Sequence, residues 1–526
     1  MFYRALFFVT LISNADAYNI LVYSPTISKS HMIQNARVGD ALAKDGHNVT
    51  VMELEMDEKA GSLNQVKHAK LWPVVHDWPE RPPVPHMDAG NPLDWQLLKM
   101  VTLLKNFLEP YGTSCSALLR SQDIMNQIRD SKFDVIMFEQ FDYCPFFISH
   151  VLDIKVKVWM SSCPVLEHQV MLSGIPSAYS YSPIDGYSDK MNFWQRFLNM
   201  VASFAFGYNF NSFWGNFHQK LVEQYGPSFP NPLDLARTAD LLLINTDELI
   251  DFPRALPPNV IHIGGIGMQN VNTTLPVEYE KLMQNGRKGV IYFSFGSIVS
   301  TEKIGQKYMK KFLDAFKKFD DYFFIVKISN EDEFSEEYAK TIENVKTAHW
   351  VPQPGVLAHP RLRLFITHGG YNGIMEASQF AVPLLSIGMF GDQPRNSKLV
   401  ERNGWGLSFD KTLLLHGTKE FEERLREMLE NPKYKKNALR TAKLLRTKPQ
   451  TGEQRLLSYI RFLEENDGHL PELRSILSEL STVEYYNLDV WLAIVVVATA
   501  LILILGSLII MLAKYLTKLV KKDKME

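Results

Sequence analysis

Apolar positions along this chain fall into short unbroken runs that alternate with longer stretches of helical period. The first run, NILVYS from Asn19, leads into the loop PTISKS and then a helical pattern from His31 to Lys44, closed by Gly46. HNVTVMEL returns as a strand, so the chain opens as strand, helix, strand, the start of a doubly wound sheet. Residues 55–95 are dense in proline and charge and read as irregular surface. Helical periodicity resumes over Leu97–Leu108 and Ser116–Arg129, and FDVIMFE (133–139), KVKVWMS (155–161) and ADLLLINT (239–246) read as further strands. Residues 253–276, with four prolines and the glycines Gly264, Gly265 and Gly267, read as an interdomain linker. The alternation then restarts. GVIYFSFGS (289–297) is a strand ending in a turn, Lys303–Phe319 an amphipathic helix, and YFFIVKI, RLFITH and PLLSI are strands, with helices at Tyr371–Phe380 and Asn396–Asn403. The pattern predicts an α/β protein of two Rossmann-like domains, 18–252 and 277–448, facing each other across a cleft.

Two stretches break the alternation. Val490–Ala513 carries no charged residue and is long enough to cross a bilayer as a helix, with Trp491 where an interface anchor belongs. Lys514, Lys518, Lys521, Lys522 and Lys524 follow it, which the positive-inside rule places in the cytosol as a tail, 514–526. At the other end, Arg4, the apolar stretch Ala5–Ile12 and Ala15-Asp16-Ala17 make a secretory signal pattern over 1–17. Together they predict a single-pass type I membrane protein, nearly all lumenal, with 449–489 a helical segment returning to the membrane. The ending KDKME resembles a lysine-based signal of endoplasmic reticulum membrane proteins. Phe197–Phe217 is uncharged and aromatic, but Asn199, Asn209, Asn211 and Asn216 make insertion costly. It is expected to line an apolar acceptor pocket or rest on the membrane surface. Sequons at Asn48 and Asn272 fit lumenal exposure, Asn48 being the harder to reach beside its strand.

Composition narrows the function. The length of 526 residues calls for two domains, and a formal charge of −2 gives no basic excess for nucleic acid. Cys115, Cys144 and Cys163 allow one disulfide at most and have no metal-ligand spacing. No Walker lysine loop and no G-x-G-x-x-G occur, which argues against ATP hydrolysis and dinucleotide redox chemistry.

Ligands in open α/β sheets sit beyond the carboxyl ends of the strands, and the second half places polar residues there. Ser297 follows its first strand, His368 a later one, and Asp392 and Gln393 the next. Gly369 and Gly370 let backbone approach a ligand and open a helix whose N–H groups and dipole attract phosphate. Asn372 lies in the first turn, and Glu376 one turn on is suited to ribose hydroxyls. Trp350 offers a flat face for a base and Gln353 a two-way hydrogen-bonder beside it. With no Asp-x-Asp in the chain, a bound diphosphate is expected to be neutralised by protein dipoles instead of a metal.

The segment WVPQPGVLAHPRLRLFITHGGYNGIMEASQFAVPLLSIGMFGDQPRN (350–396) resembles the signature of the UDP-glycosyltransferases, the membrane-bound family that includes the animal UDP-glucuronosyltransferases. The leader, the FSFGS turn, the anchor and the lysine tail resemble it too. The resemblance implies a GT-B fold and metal-independent, inverting transfer of a glucuronosyl or glucosyl unit from a UDP-sugar co-substrate, with no cofactor, to a small lipophilic acceptor. It implies Trp350 and Gln353 on uridine, Glu376 on ribose, Ser297, His368, Asn372 and the Gly369–Gly370 backbone on diphosphate, and Asp392 and Gln393 on the sugar. It makes His31 the general base. The family's orienting aspartate is here Glu139, with Asp142 as the alternative partner. A non-catalytic UDP-sugar-binding partner of active relatives is the competing reading, and a UDP-sugar epimerase a more distant one. Acceptor identity and homo- or hetero-oligomeric assembly stay open.

Overall fold

The structure is a computed structural model that describes residues 17–56, 66–75, 97–268, 271–297 and 299–523. The signal-peptide reading, and the retrieval-signal reading in part, lie outside the described residues.

Up to Arg474 the chain forms one compact unit built on two parallel sheets. The first comprises β1 (Asn19–Pro25), β2 (Asn48–Leu54), β3 (Lys70–Val74), β4 (Val135–Glu139), β5 (Val156–Ser161), β6 (Leu241–Ile244) and β7 (Val260–His262), in the order β3-β2-β1-β4-β5-β6-β7. The second comprises β8 (Gly289–Ser294), β9 (Tyr322–Lys327), β10 (Val345–Ala348), β11 (Leu362–Thr367), β12 (Leu384–Ser386) and β13 (Gly406–Ser408), in the order β10-β9-β8-β11-β12-β13. In each sheet the strand order reverses once, between β1 and β4 and between β8 and β11. Such switch points open a crevice at the strands' carboxyl ends. Successive residues of β1 bury on opposite faces, Ile20 and Val22 in one apolar cluster and Leu21 and Tyr23 in another. That explains why its sequence is a continuous apolar run instead of an alternation.

Four elements differ from the pattern reading. β3 lies within the region read as irregular, and β7 lies inside the stretch assigned to the linker, extending the first sheet by one strand. Both are short edge strands, whose weak periodicity a proline-rich context hides. The two helices expected over Leu97–Leu108 and Ser116–Arg129 are present with their break shifted: Leu97–Arg120 runs through Pro110, and Gln122–Asp130 follows after Ser121. The first packs so closely on the helix Phe193–Asn216 that a Cβ on Gly112 would come within 3.0 Å of the Phe213 ring. Finally, the helix Gly452–Glu464, which begins the segment 449–489 expected to return to the membrane, packs on the first domain. Leu456, Ile460 and Leu463 join the first domain's core with Val38, Leu42 and Ile263, and Arg461 bonds Asp45 at 2.8 Å. The C-terminal stretch thus crosses back and closes the first domain.

Asn192 caps the helix Phe193–Asn216, accepting from the Gln195 amide at 3.0 Å. Two of its four asparagines, Asn199 and Asn211, point inward, while Asn209 and Asn216 are exposed. Asn199 accepts from the Ile184 amide at 2.8 Å, and Asn211 accepts from the Tyr143 hydroxyl at 2.8 Å. Phe193, Trp194, Phe197, Phe204 and Tyr208 stay exposed. Cys115 and Cys144 form a disulfide inside the first core, and Cys163 is a free thiol. Asn48 is exposed at the start of β2, and Asn272 is exposed as well. The second unit, Ser475–Glu526, contains the helix Leu488–Asp523, long and apolar enough to cross a membrane.

Candidate active site

A cleft of about 2640 Å³ is lined from both domains at the two switch points. Glu139 is the last residue of β4, and His31 stands in the first turn of the helix Lys29–Lys44, which follows β1. Because β1 and β4 are neighbours, residues far apart in sequence meet, and His31 Nδ1 lies 2.5 Å from Glu139 Oε2. Glu139 is buried, and its Oε1 accepts from Asn35 Nδ2 at 2.7 Å, so both oxygens are held. A carboxylate only accepts, so His31 donates from Nδ1 and keeps Nε2 as the basic nitrogen. The Ser162 hydroxyl sits 3.1 and 3.2 Å from the two ring nitrogens and is itself fixed by Gln140 at 2.9 Å. Burial lowers the imidazole's pKa, but the charge and hydrogen bond of Glu139, with the charge of Asp392, outweigh it, and the net is upward.

The extra methylene of Glu139 therefore does not break the pair. Asp142 is not the partner of His31: it is fully buried, and its Oδ1 accepts from the Cys144 amide at 2.8 Å, at the start of the helix Cys144–Leu152. Burial pushes its carboxyl up to about 7.

Across the cleft, β11 delivers His368 and the helix Tyr371–Gln379 begins after Gly370. Burial, then the charge of Lys327, pulls His368 down to about 4, so the ring is neutral, and its Nδ1 has no hydrogen-bond partner. The two flanking glycines are sterically required. A Cβ on Gly370 would fall 2.5 Å from the ring, and Gly369, at φ +84°, would meet Gln393 O at 2.9 Å. Asn372 Oδ1 accepts from Asn245 Nδ2 at 2.8 Å, and its Nδ2 donates to Ser30 O at 3.4 Å, beside His31. Glu376 Oε2 accepts from Gln353 Nε2 at 2.6 Å, and Gln353 Oε1 accepts from the Tyr292 hydroxyl at 3.2 Å. Trp350 is 72% exposed, with its backbone carbonyl held by the Tyr279 hydroxyl, so its ring is an open platform. Ser297 is exposed in the turn after β8. Asp392 Oδ2 accepts from Asn396 Nδ2 at 2.6 Å, and burial raises its carboxyl. Gln393 spends its oxygen on the amides of Met389 and Phe390, at 3.1 and 3.3 Å, so its amino group is what remains for a ligand. His31, Ser297, Trp350, Gln353, His368, Gly370, Asn372, Glu376, Asp392 and Gln393 all line this cleft, while Glu139 and Gly369 lie behind it.

Several residues of the site were not found from the sequence. Asn35, Ser162 and Asn245 are polar side chains in helix and loop with no motif around them. Lys327, whose Nζ donates to Gly296 O at 2.9 Å and lies 5.7 Å from the Trp350 ring, did leave a signal. It is the lone charge at the carboxyl end of an apolar strand. Of the arginines left unplaced by the sequence, Arg395 is committed to Asp251 at 2.7 Å, Arg254 bonds Pro176 O at 3.2 Å, and Arg37 faces Glu376 at 3.6 Å.

Two doubly wound parallel-sheet domains that together line one cleft are the architecture of the GT-B glycosyltransferases. Solved structures share that fold: the glycotransferase of kitacinnamycin has a TM-score of 0.57 at 16% identity, covering 85% of this chain and 99% of that one. UDP-glucose: anthocyanidin 3-O-glucosyltransferase in complex with UDP has 0.56 at 13%, with the same coverage. Residues 19–524 match the family described as UDP-glucoronosyl and UDP-glucosyl transferase, and the chain belongs to that family. It is similar to the putative UDP-glucuronosyltransferase ugt-47 of Caenorhabditis elegans, 36% identical over 90% of this chain and 89% of the relative. It is also similar to UDP-glucuronosyltransferase 3A2 of Homo sapiens, 30% identical over 94% and 93%. The protein is a UDP-glycosyltransferase, and sugar transfer from a UDP-sugar is its activity.

Proposed function

We propose that the chain transfers a glucuronosyl or glucosyl unit, with inversion and without a metal, from its UDP-sugar to a hydroxyl of a small lipophilic acceptor, with His31 as general base. The observation that carries this reading is the His31–Glu139 hydrogen bond of 2.5 Å, at the end of the cleft wall that faces the diphosphate cradle. As the acceptor oxygen attacks the anomeric carbon, Nε2 takes its proton, and Glu139 stabilises the imidazolium that forms. The bond to the UDP oxygen breaks on the opposite face. The departing diphosphate is met by the amides opening the helix Tyr371–Gln379, by Asn372 and by Ser297, with the uracil on Trp350 and the ribose on Glu376. Asp392 and the Gln393 amino group read the sugar hydroxyls.

Leu198, Val201, Ala202 and Phe206 line the cleft and supply an apolar surface for the acceptor. The outward face of the same helix, Phe193, Trp194, Phe197, Phe204 and Tyr208, is suited to lipid. The helix Leu488–Asp523 would anchor the chain in the endoplasmic reticulum membrane with its lysine-rich end in the cytosol. The Cys115–Cys144 disulfide supports a lumenal body, since such bonds persist in oxidising compartments.

The test is a transfer assay on membranes expressing the chain, with UDP-glucuronate or UDP-glucose and a phenol mixture, products read by mass. Conjugates from one donor name the sugar. Loss of those conjugates in His31→Ala, with UDP binding retained, supports the base; unchanged turnover in that variant sinks it.

A further inference from the structure

The helix that bears His31 touches the donor domain at two points along its length. Near its start, Ser30 O accepts from Asn372 Nδ2 at 3.4 Å. Nearly two turns further on, the Arg37 guanidinium faces Glu376 Oε1 at 3.6 Å, with the side chains 21% and 10% exposed. Asn372 and Glu376 are themselves one turn apart on the helix Tyr371–Gln379, so the two helices meet face to face across the cleft. The stem of Arg37 is held by the segment joining the domains: a Cβ on Gly267 would come 3.0 Å from Arg37 Cγ, and Arg37 Nη1 lies 3.8 Å from Met268 Sδ. Gly265 in the same segment lies against Met375 and Gln379 of the donor helix, at 3.5 Å from each for a Cβ placed there. Arg37 is therefore placed where the base-bearing helix, the domain connection and the ribose-facing helix converge.

The spacing of the Arg37–Glu376 pair matters. At 3.6 Å it is an ion pair without a hydrogen bond, while Gln353 bonds only the other oxygen, Oε2. Oε1 thus keeps its capacity to accept from a ribose hydroxyl without losing the guanidinium beside it. We infer that Arg37 is a positioning residue, tying the ribose-binding carboxylate of one domain to the base-bearing helix of the other, so that nucleotide binding at Glu376 stiffens the helix that presents His31. The inference rests on the reading of Glu376 as the ribose acceptor. It makes binding of donor and placement of the base two ends of one coupling, which is reciprocal by necessity. The element both ends bias is the helix Lys29–Lys44.

The experiment is amide hydrogen exchange on the full chain in detergent, with and without saturating UDP alone, so that no acceptor has to be known. The readout is residues 37–44, past the part of the helix that lies at the nucleotide. In the unaltered chain UDP is expected to slow exchange there severalfold, as well as over 371–379; UDP bound with no slowing at 37–44 overturns the inference. Arg37→Met keeps the stem that packs on Gly267 and removes the charge. It is expected to hold UDP within about fivefold of the parent, the ceiling for a part-exposed pair, to keep the slowing at 371–379 and to lose it at 37–44. Arg37→Lys is expected to restore part of it. A merely structural Arg37 would speed exchange at 37–44 equally with and without UDP, and that result overturns the coupling. Glu376→Gln separates the two readings. Unchanged UDP affinity there removes the ribose site and the inference with it, whereas weakened affinity alongside a parent-like exchange profile for Arg37→Met overturns the inference alone.

Discussion

Glutamate reaches His31 from position 139 with both of its oxygens held. Asn35 holds Oε1 while Oε2 meets His31, so the longer side chain loses the freedom that its extra methylene would otherwise give. Glu139→Gln keeps the shape but removes the charge that raises His31. With His31 as the proposed base, which works only when neutral, activity is expected to fall as pH drops through its pKa, which in the parent lies above its ordinary value. In Glu139→Gln the acidic limb of kcat/KM is expected to move to lower pH while kcat falls about 10²–10⁴-fold; a limb that stays in place would exclude Glu139 as the partner. Asp142 gives the opposite signature. Its carboxyl, raised to about 7 by burial, is neutral in the fold at pH values where the unfolded chain is already charged. The stability it favours is full below its unfolded pKa and is lost as pH rises through about 7. Asp142→Asn is expected to flatten that loss in thermal melts between pH 4 and 7, with the His31-controlled limb unmoved.

At the scale of elements, the strand-to-helix junctions carry the chemistry, and they differ in how far the sequence shows them. The expected donor wall is written contiguously: Trp350, Gln353, His368, the two glycines, Asn372, Glu376 and Asp392 follow in one segment, each at a strand end or in the first two turns of the helix after it. The acceptor wall is assembled by folding. His31 and Glu139 meet because β1 pairs with β4, and Asn245 reaches Asn372 from the end of β6, contacts that no local spacing records. The same distinction explains the misread elements. β3 and β7 are edge strands held by one neighbour each, and Leu97–Arg120 continues through Pro110 while packing closely on Phe193–Asn216. The glycine junction yields a test. Gly369→Ala puts a side chain at φ +84°, a strain of about 1–3 kcal/mol, and drives it against Gln393 O and the Ser386 and Ser397 hydroxyls. UDP affinity is expected to fall at least tenfold, read by quenching of Trp350 fluorescence. Binding equal to the parent would mean that this turn does not cradle the nucleotide.

At the scale of the molecule, the helix Gly452–Glu464 decides where the catalytic body ends. It follows the second domain in sequence but closes the first. Leu456, Ile460 and Leu463 are fully buried in the first core, and Arg455 and Arg461 pair with Glu248 and Asp45. Gly452 lies so near Ile263 O that a Cβ would stand 2.5 Å away, and Lys448 bonds Asp247 just before the crossing. Removing three such apolar side chains costs about 2–5 kcal/mol each, comparable in sum to the whole stability of a typical domain. A chain ending at Arg474, where the compact unit ends, is therefore expected to unfold cooperatively and bind UDP as the full chain does. A chain ending at residue 450 keeps every donor-site residue, yet is expected to lose the first domain's cooperative unfolding and with it transfer activity. Calorimetry on the two truncations distinguishes the cases. Equal melting of both would show that the returning helix is dispensable and that the two domains are held together by the cleft contacts alone.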